Sequence, residues 1–266
     1  MAVMNPSSAQ PIANALTGVT VPAVVRAVAV LEAVAASNEP VRASELCTEL
    51  GLARSTMSNL ISSLEAVGML RRSGTGWLIG YKALEIGQSA ISGTDLMTQF
   101  RDIASSLPHL RAETTLLATL DGPDVLYLAR RDGTQSVRLA SDIGRKLPAV
   151  VTALGKAMLA ALEPAEIEEF FERYPELPHV TPRSHRTHQA LYQDLVKTKA
   201  RGWALDDEQN TVGVLCLSVS VPNANRPQAV STTLLSARIT ERLKDALIKD
   251  LTILANRLGV IADSQS

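Results

Sequence analysis

Residues 43–68, ASELCTELGLARSTMSNLISSLEAVG, decide the fold of the first part of the chain. Leu46 and Leu50 stand four apart and Gly51 follows them, so 42–51 reads as a short helix closed by a glycine stop. A second apolar period begins after Gly51-Leu52-Ala53 and runs to Gly68. On a wheel of about 100° per residue, Met57, Leu60, Ile61 and Leu64 fall on one side. Ser55, Asn59 and Ser62 fall on the other, with Ser58 at their flank. The junction between the two helices is short enough to force a sharp crossing, as in a helix-turn-helix.

Working outward, 21–37 carries Val24, Val28, Leu31 and Ala35 on one helical stripe, ended by Asn38-Glu39-Pro40. Downstream, MLRRSGTGWLIG (69–80) places two short apolar runs around a Gly-rich turn, the pattern of a β-hairpin. Helix, helix, turn, helix, hairpin is the order of a winged helix-turn-helix. The face of the third helix opposite its apolar side carries hydroxyls and an amide and no acid. Such groups bond phosphates and base edges, and Asn59 can pair with adenine in two bonds. Arg54, Ser55 and Thr56 stand at the helix N-terminus, where free amides favour a phosphate. Arg71, Arg72 and Thr75 on the hairpin can straddle a backbone or enter a minor groove. A merely solvated helix face and hairpin is the competing reading. Six basic and six acidic side chains balance across 21–90, so DNA affinity must come from local placement and from two copies of the domain.

The expected divisions are a flexible tail at 1–20, a winged domain at 21–83, a linker helix at 84–95 that overlaps the helical pattern of 81–92, and a second domain at 96–266. The second domain mixes strand patterns (114–122, 124–133, 136–141, 214–222, 230–237) with helical ones (153–162, 165–175, 188–202, 239–259), which makes the chain α+β. With 46% hydrophobic and 20% charged residues the composition is globular, and the net charge of −1 excludes a polybasic coat. No run reaches the roughly 18 apolar residues of a membrane span, and no signal peptide is read at the start. Cys47 and Cys216 lie too far apart in sequence to suggest a disulfide framework or zinc spacing. A reduced, cytoplasmic protein with no membrane partner, no metal and no cofactor is expected. His185 and His188 read as surface residues leading into a helix.

These stretches resemble the isocitrate lyase regulator (IclR) family of bacterial transcription factors. The resemblance is carried by RAVAVLEAVA, residues 43–70, GWLIG, IGRKLPAVVTALGKAMLA, RGWALDDEQNTVGVLCLSV and the closing helix, in the family's order over roughly 22–260. Gly144, Pro148, Gly155-Lys156, Asp206-Asp207-Glu208, Gly213 and Cys216 are its most specific part. Departures are Asn59 where relatives often carry a basic residue, Trp77-Leu78-Ile79-Gly80 for Tyr-Arg-Leu-Gly, and Gln209 for the second acid of a pair. The resemblance implies an N-terminal winged helix-turn-helix and a C-terminal GAF-like effector domain. It also implies homodimers paired into tetramers on double-stranded operators, and a small organic or aromatic carboxylate as effector. From the family's habits the expected role is repression of a catabolic operon.

The residues suggest where that effector sits. After an extended 147–151, Thr152 caps a helix whose first amides, at Ala153, Leu154 and Gly155, would point outward unpaired and hold a carboxylate. Leu147 supplies an apolar wall. Lys156 either adds charge or bonds the protein's own acidic loop. In the loop 206–208, Asp206 is favoured by its motif position to accept a bond from a ligand hydroxyl or amine. By resemblance Cys216 lines the site, otherwise being a buried small hydrophobe, and Thr232 and Leu234 line the opposite side. Two alternatives stand beside this regulator: an enzyme using Cys216 or the 206–208 acids, and a small-molecule sensor that does not bind DNA. No histidine stands at motif spacing to either nucleophile or base, and no catalytic residue is expected.

Overall fold

A computed structural model of the chain describes residues 21–92, 96–134 and 142–263. The tail expected at 1–20 and the strand expected at 136–141 lie outside the described residues. The chain divides into two compact units, the first ending at Gly93 and the second beginning at Thr94.

The first unit holds α1 (Pro22–Ala35), α2 (Ala43–Leu50), α3 (Arg54–Ala66), the hairpin β1 (Leu70–Ser73) and β2 (Gly76–Ile79), and α4 (Tyr81–Ser92). Its core gathers Val30 and Val34 of α1, Leu46 of α2, Met57, Ile61 and Leu64 of α3, and Leu70 of β1. Gly51 adopts the left-handed backbone that ends α2, with φ of 64°. The strands pair antiparallel with Arg71 opposite Leu78 and Arg72 opposite Trp77. Trp77 exchanges two backbone hydrogen bonds with Val41, adding a bridge to the hairpin. Gly76 is needed there because a Cβ would stand 2.8 Å from the Pro40 carbonyl. The apolar stripe expected on α1 is corrected: Val24 and Val28 are 59% and 48% exposed, and the buried pair is Val30 and Val34. Helix α1 has apolar residues on more than one side, and of the stripe read from spacing Leu31 packs against the core while Val24 and Val28 face outward.

The second unit is built on a six-stranded antiparallel sheet of order β5-β4-β3-β8-β7-β6. Its strands are β3 (Thr114–Asp121), β4 (Asp124–Arg131), β5 (Lys146–Pro148), β6 (Ala204–Asp207), β7 (Val214–Ser220) and β8 (Gln228–Leu235). Helices α5 (Leu96–Ser106) and α9 (Glu241–Asp263) contribute to a core on one face, where Phe100, Leu247, Leu251 and Leu254 meet Leu117, Leu215, Leu217, Val230 and Leu234. On the other face α6 (Ala153–Ala161), α7 (Pro164–Arg173) and α8 (His188–Arg201) meet Leu116, Ala118, Val125, Tyr127 and Ala229 through Leu154, Met158, Phe170, Leu191 and Leu195. The period-2 alternation of the strands sorts residues between the two cores.

Two local expectations change. Residues Ala149–Val151 form a 3₁₀ turn and are not extended. Asp206 and Asp207 are strand residues of β6, and of the three acids only Glu208 belongs to the turn that follows, with φ of 61°. The run Ala204–Asp207 escaped a strand reading because its two acids look like a turn.

Helix α6 lies so close to the 3₁₀ turn that a Cβ on Gly155 would stand 2.1 Å from the Ala149 carbonyl oxygen. Gly155→Ala is therefore expected to destabilise the second unit by about 2 kcal/mol or more. Gly87→Ala on α4, where nothing lies within 4 Å of the added atom, should instead gain up to about 1 kcal/mol. The two tryptophans, Trp77 and Trp203, fall one in each unit, so urea unfolding followed with Trp77→Phe and Trp203→Phe backgrounds reads the two effects separately.

Candidate functional sites

Helix α3 turns its apolar seam inward, with Met57 and Ile61 at 1% and 4% exposure. That seam fixes the rotation of the helix and leaves Arg54, Ser55, Ser58, Asn59 and Ser62 exposed, with Thr56 half-buried. The N-cap residue Ala53 has no side chain to offer. Among the described residues, nothing accepts the amides of Arg54, Ser55 and Thr56, and the first backbone bond of the helix comes from Met57 to Ala53. Three uncapped amides beside an arginine can accept an anionic oxygen such as that of a phosphate.

The hairpin arginines do not act as one pair. Successive strand residues point to opposite faces, and Arg72 stacks over Trp77 at 5.6 Å while Arg71 stacks over Tyr81 at 5.5 Å. Arg72 joins Arg54, Ser58 and Ser62 around a concavity of about 360 Å³ between α2, α3 and the hairpin. Thr75 is exposed at the hairpin tip beside Gly74, whose φ is 57°. The charge balance of this unit also resolves locally. Arg42 pairs with Glu45 at 2.7 Å and Lys82 with Glu85 at 2.7 Å. Among the described residues no acid forms an ion pair with Arg54, Arg71 or Arg72, and Glu65 is the one acid beside the concavity that Arg54 and Arg72 line.

In the second unit, Thr152 caps α6 with its hydroxyl oxygen accepting from the Gly155 amide at 3.0 Å. Gly155 is thus not a free donor, which corrects the expectation. The amides of Ala153 and Leu154 have no acceptor among the described residues. Leu147 pairs with Val125 and packs with the core on the α6 face.

One row of residues crosses that same face: Asp206 on β6 stands opposite Cys216 on β7, and Cys216 opposite Thr233 on β8. The Cys216 Sγ and Thr233 Oγ1 are 3.4 Å apart. Thr232 and Leu234, expected in the site, sit one residue out of register. Leu234 packs in the α5/α9 core, Thr232 lies opposite its neighbour Leu217 in the ladder, and Thr233 takes the place beside Cys216. Parity along β8 decides this, and a one-residue slip in reading it exchanges the faces.

Asp206 is 2% exposed. Burial pushes its carboxyl up to about 6, against the pull of two hydrogen bonds to its Oδ1, from the amides of Gln209 at 2.7 Å and Asn210 at 3.2 Å. Burial also pushes the Cys216 thiol well above the usual thiol range, and the Asp206 charge adds to this. A thiolate nucleophile has no support here. Tyr127 lies on this face too, and its phenol, raised mainly by burial, feels Cys216, Arg145 and Asp206.

Behind the row, Lys156 is completely buried. Its Nζ donates to Asp194 Oδ2 at 2.6 Å, to the Leu205 carbonyl and to Gln209 Oε1. His185 Nε2 lies 3.0 Å from the same Asp194 oxygen. Burial works to raise the Asp194 carboxyl, but the His185 hydrogen bond and the Lys156 charge hold it well below the ordinary carboxylate range. Of the histidines expected at the surface, His185 belongs to this network, and His188 stacks on Phe171 with ring centroids 5.0 Å apart. Tyr127, Thr233, Gln209 and His185 were not singled out for the site from sequence. A signal existed for Thr233, in the alternation of β8, and for Gln209, in its departure from the family's acidic pair. Among the described residues no His, Cys, Asp and Glu cluster could hold a metal, and no helix is long and apolar enough to cross a membrane.

Comparison with known proteins identifies the family of both units. Residues 23–74 match the IclR helix-turn-helix domain and residues 88–259 match the family described as bacterial transcriptional regulator IclR C-terminal. The chain is 29% identical over 223 residues to the HTH-type transcriptional regulator XynR of Escherichia coli, covering 83% of this chain and 87% of that protein. It is 30% identical over 227 residues to the transcriptional repressor IclR of the same organism, covering 81% of each. The crystal structure of Thermotoga maritima IclR superposes with a TM-score of 0.68 at 25% identity, over 89% of this chain and 98% of that one. An IclR homolog from Microbacterium hydrocarbonoxydans, solved in complex with 4-hydroxybenzoate, shares the fold with a TM-score of 0.76 at 21% identity, over 91% and 99% of the two chains.

The raised Asp206 carboxyl makes a prediction about stability. Its folded value of about 6 lies above its ordinary 3.8, so the native state holds this proton more tightly than the unfolded chain does. Stability from this group is present below about pH 4 and is lost as pH rises through about 6. Asp206→Asn removes that loss, and it should gain on the parent by about 2–3 kcal/mol above pH 7. Urea unfolding between pH 5 and 8 should show the gap widening to about pH 7 and then levelling.

Proposed function

The chain belongs to the IclR family of bacterial transcriptional regulators, and from that premise we propose that it is a repressor of a catabolic operon, released or retuned by a small organic or aromatic carboxylate. It binds DNA through the N-terminal unit, and the C-terminal unit is an effector domain; it is a regulator and not an enzyme. The observation that carries the effector reading is the pair of unclaimed amides at the start of α6, on the same sheet face as the Asp206–Cys216–Thr233 row. Two amides at the positive end of a helix suit one carboxylate. Asp206, with Oδ1 bonded to the protein and Oδ2 in neither of those bonds, reads a hydroxyl or amine on the ligand. Leu147, Tyr127 and Cys216 suit an apolar or aromatic body. The homolog solved with 4-hydroxybenzoate supports this class of ligand, and the repressor among the relatives supports the sign.

On the DNA, α3 enters the major groove with Ser55, Ser58, Asn59 and Ser62 towards base edges and phosphates. Arg54 and the amides of the first turn take a backbone phosphate. Arg72 and Thr75 reach the backbone from the hairpin, and Arg71 approaches from its other face. The protein acts as a homodimer, and as paired dimers, in the cytoplasm. Val24 and Val28 of α1, and Leu84 and Ile86 of α4, are exposed apolar residues available for self-association of the first unit.

Fluorescence anisotropy on duplexes from upstream of the gene tests the DNA assignments. Arg72→Ala should weaken binding across sequences and reduce the slope of log affinity against log salt by about 1. Asn59→Ala should leave that slope unchanged and cost about 1–3 kcal/mol at one base pair. For the effector, a thermal-shift series of small carboxylates against their primary amides should show stabilisation by acids alone. Equal stabilisation by the amides, or none by any acid, would contradict the anion seat.

A further inference from the structure

Lys156 is the fourth residue of α6, the helix whose first amides form the anion seat, yet its ammonium points away from solvent altogether. An ammonium has three donors, and here three acceptors engage it: the Asp194 carboxylate, the Leu205 carbonyl and the Gln209 side-chain carbonyl. It has nothing left for a ligand. What it does instead is join the α6 side of the site to the chain on either side of Asp206, since Leu205 and Gln209 bracket that residue.

Gln209 is the joint. Its side chain grips Lys156, and its own amide donates to Asp206 Oδ1 at 2.7 Å. Its carbonyl accepts from the hydroxyls of Ser184 at 2.7 Å and Thr181 at 3.2 Å, which holds the turn from outside. Its Nε2 stands 3.2 Å from His185 Nε2, and His185 in turn contacts Asp194. Lys156 thus holds the chain on both sides of Asp206, through the Leu205 carbonyl before it and the Gln209 side chain after it, and the turn whose amides orient the Asp206 carboxylate cannot shift relative to α6 without breaking the second of these bonds. Those amides hold one end of the proposed ligand and Asp206 the other.

We propose that Gln209 is a positioning residue for effector specificity: through Lys156 it sets the span between the α6 amides and Asp206, and so the preference for hydroxylated carboxylates over their deoxy counterparts. This rests on the effector reading given above. Gln209 touches no ligand in this proposal. Losing its side chain releases the turn whose amides orient the Asp206 carboxylate from Lys156, while the Leu205 bond, the β6 pairing and the anion seat stay in place, so the two members of a hydroxy/deoxy pair should respond differently. A general loosening of the fold would weaken both alike.

The test is isothermal titration of the full chain with two probe pairs, 4-hydroxybenzoate against benzoate and lactate against propionate. The variants are Gln209→Met, Gln209→Asn, which keeps the amide but falls one methylene short of Lys156, and Gln209→Glu, which keeps an acceptor at full reach. Trp203 fluorescence and the melting temperature of each variant report folding, and the shorter variant stands in if Gln209→Met does not fold. The expected result is that the parent prefers the hydroxylated member of at least one pair. Gln209→Met and Gln209→Asn should lower affinity for that member about tenfold and for its deoxy partner less than twofold, while Gln209→Glu keeps the preference. An unchanged preference in Met and Asn, or equal weakening of both members, overturns the role of Gln209. A parent that binds both members of each pair equally overturns it as well. A parent that binds none of the four probes overturns the effector reading itself, a failure distinguishable from the others.

Discussion

A buried ammonium is the constraint around which the second unit is arranged. Removing a lysine head group from water costs several kcal/mol unless its donors are all met, and Lys156 meets its donors with groups from three separate places: α8, β6 and the turn after it. Asp194 supplies the countercharge and is itself steadied by His185. With that centre fixed, α6 is held on the sheet from above, and Gly155 lets it close down on the Ala149 carbonyl from below. The first amides of α6 are then presented at the face that also carries Asp206, Cys216 and Thr233. The geometry of the proposed effector site follows from how a charge is buried, and not from any residue proposed to touch the ligand.

The first unit obeys a simpler constraint of the same kind. Met57, Ile61 and Leu64 must leave water, and their burial leaves α3 only one rotation. The polar face is then outward by default. The unit has no net positive charge, but Arg54 and Arg72 stand together at the concavity beside the exposed face of α3, with Glu65 the one acid lining it, while Arg42 and Lys82 pair with acids elsewhere. Local placement can thus supply the electrostatics of DNA binding where overall charge does not.

What could be read from sequence, and what could not, divides along the range of the interactions. The wheel of α3 was legible because a helix repeats every few residues, and the glycine stop at Gly51 and the cap at Thr152 are local in the same way. Val24 and Val28 misled because α1 is apolar on more than one side, so that spacing alone cannot choose the buried stripe. Thr232 and Leu234 misled because strand parity depends on where the strand enters the sheet, and one position separates Leu234 in the core from Thr233 beside Cys216. The acids at 206–207 looked like a turn because their strand is short and its charge is accommodated by burial and by two amides. Of the network around Lys156, only its turn toward the 206–208 loop was among the alternatives the sequence offered; Asp194, His185 and Gln209 were not legible as its members. Its partners lie 38 to 53 residues along the chain, and only the folded sheet brings them to one point.

The account as a whole stands or falls on whether the outward face of α3 reads DNA under control of the second unit. Nuclease footprinting of the folded, dimeric chain on the DNA upstream of its own gene, at low salt, with and without the carboxylate that stabilises it most, tests this directly. The account predicts protection of an inverted repeat whose half-sites lie one or more helical turns apart, lost or shifted when the carboxylate is added. No protection beyond that of random duplex, or protection indifferent to every stabilising carboxylate, would contradict it.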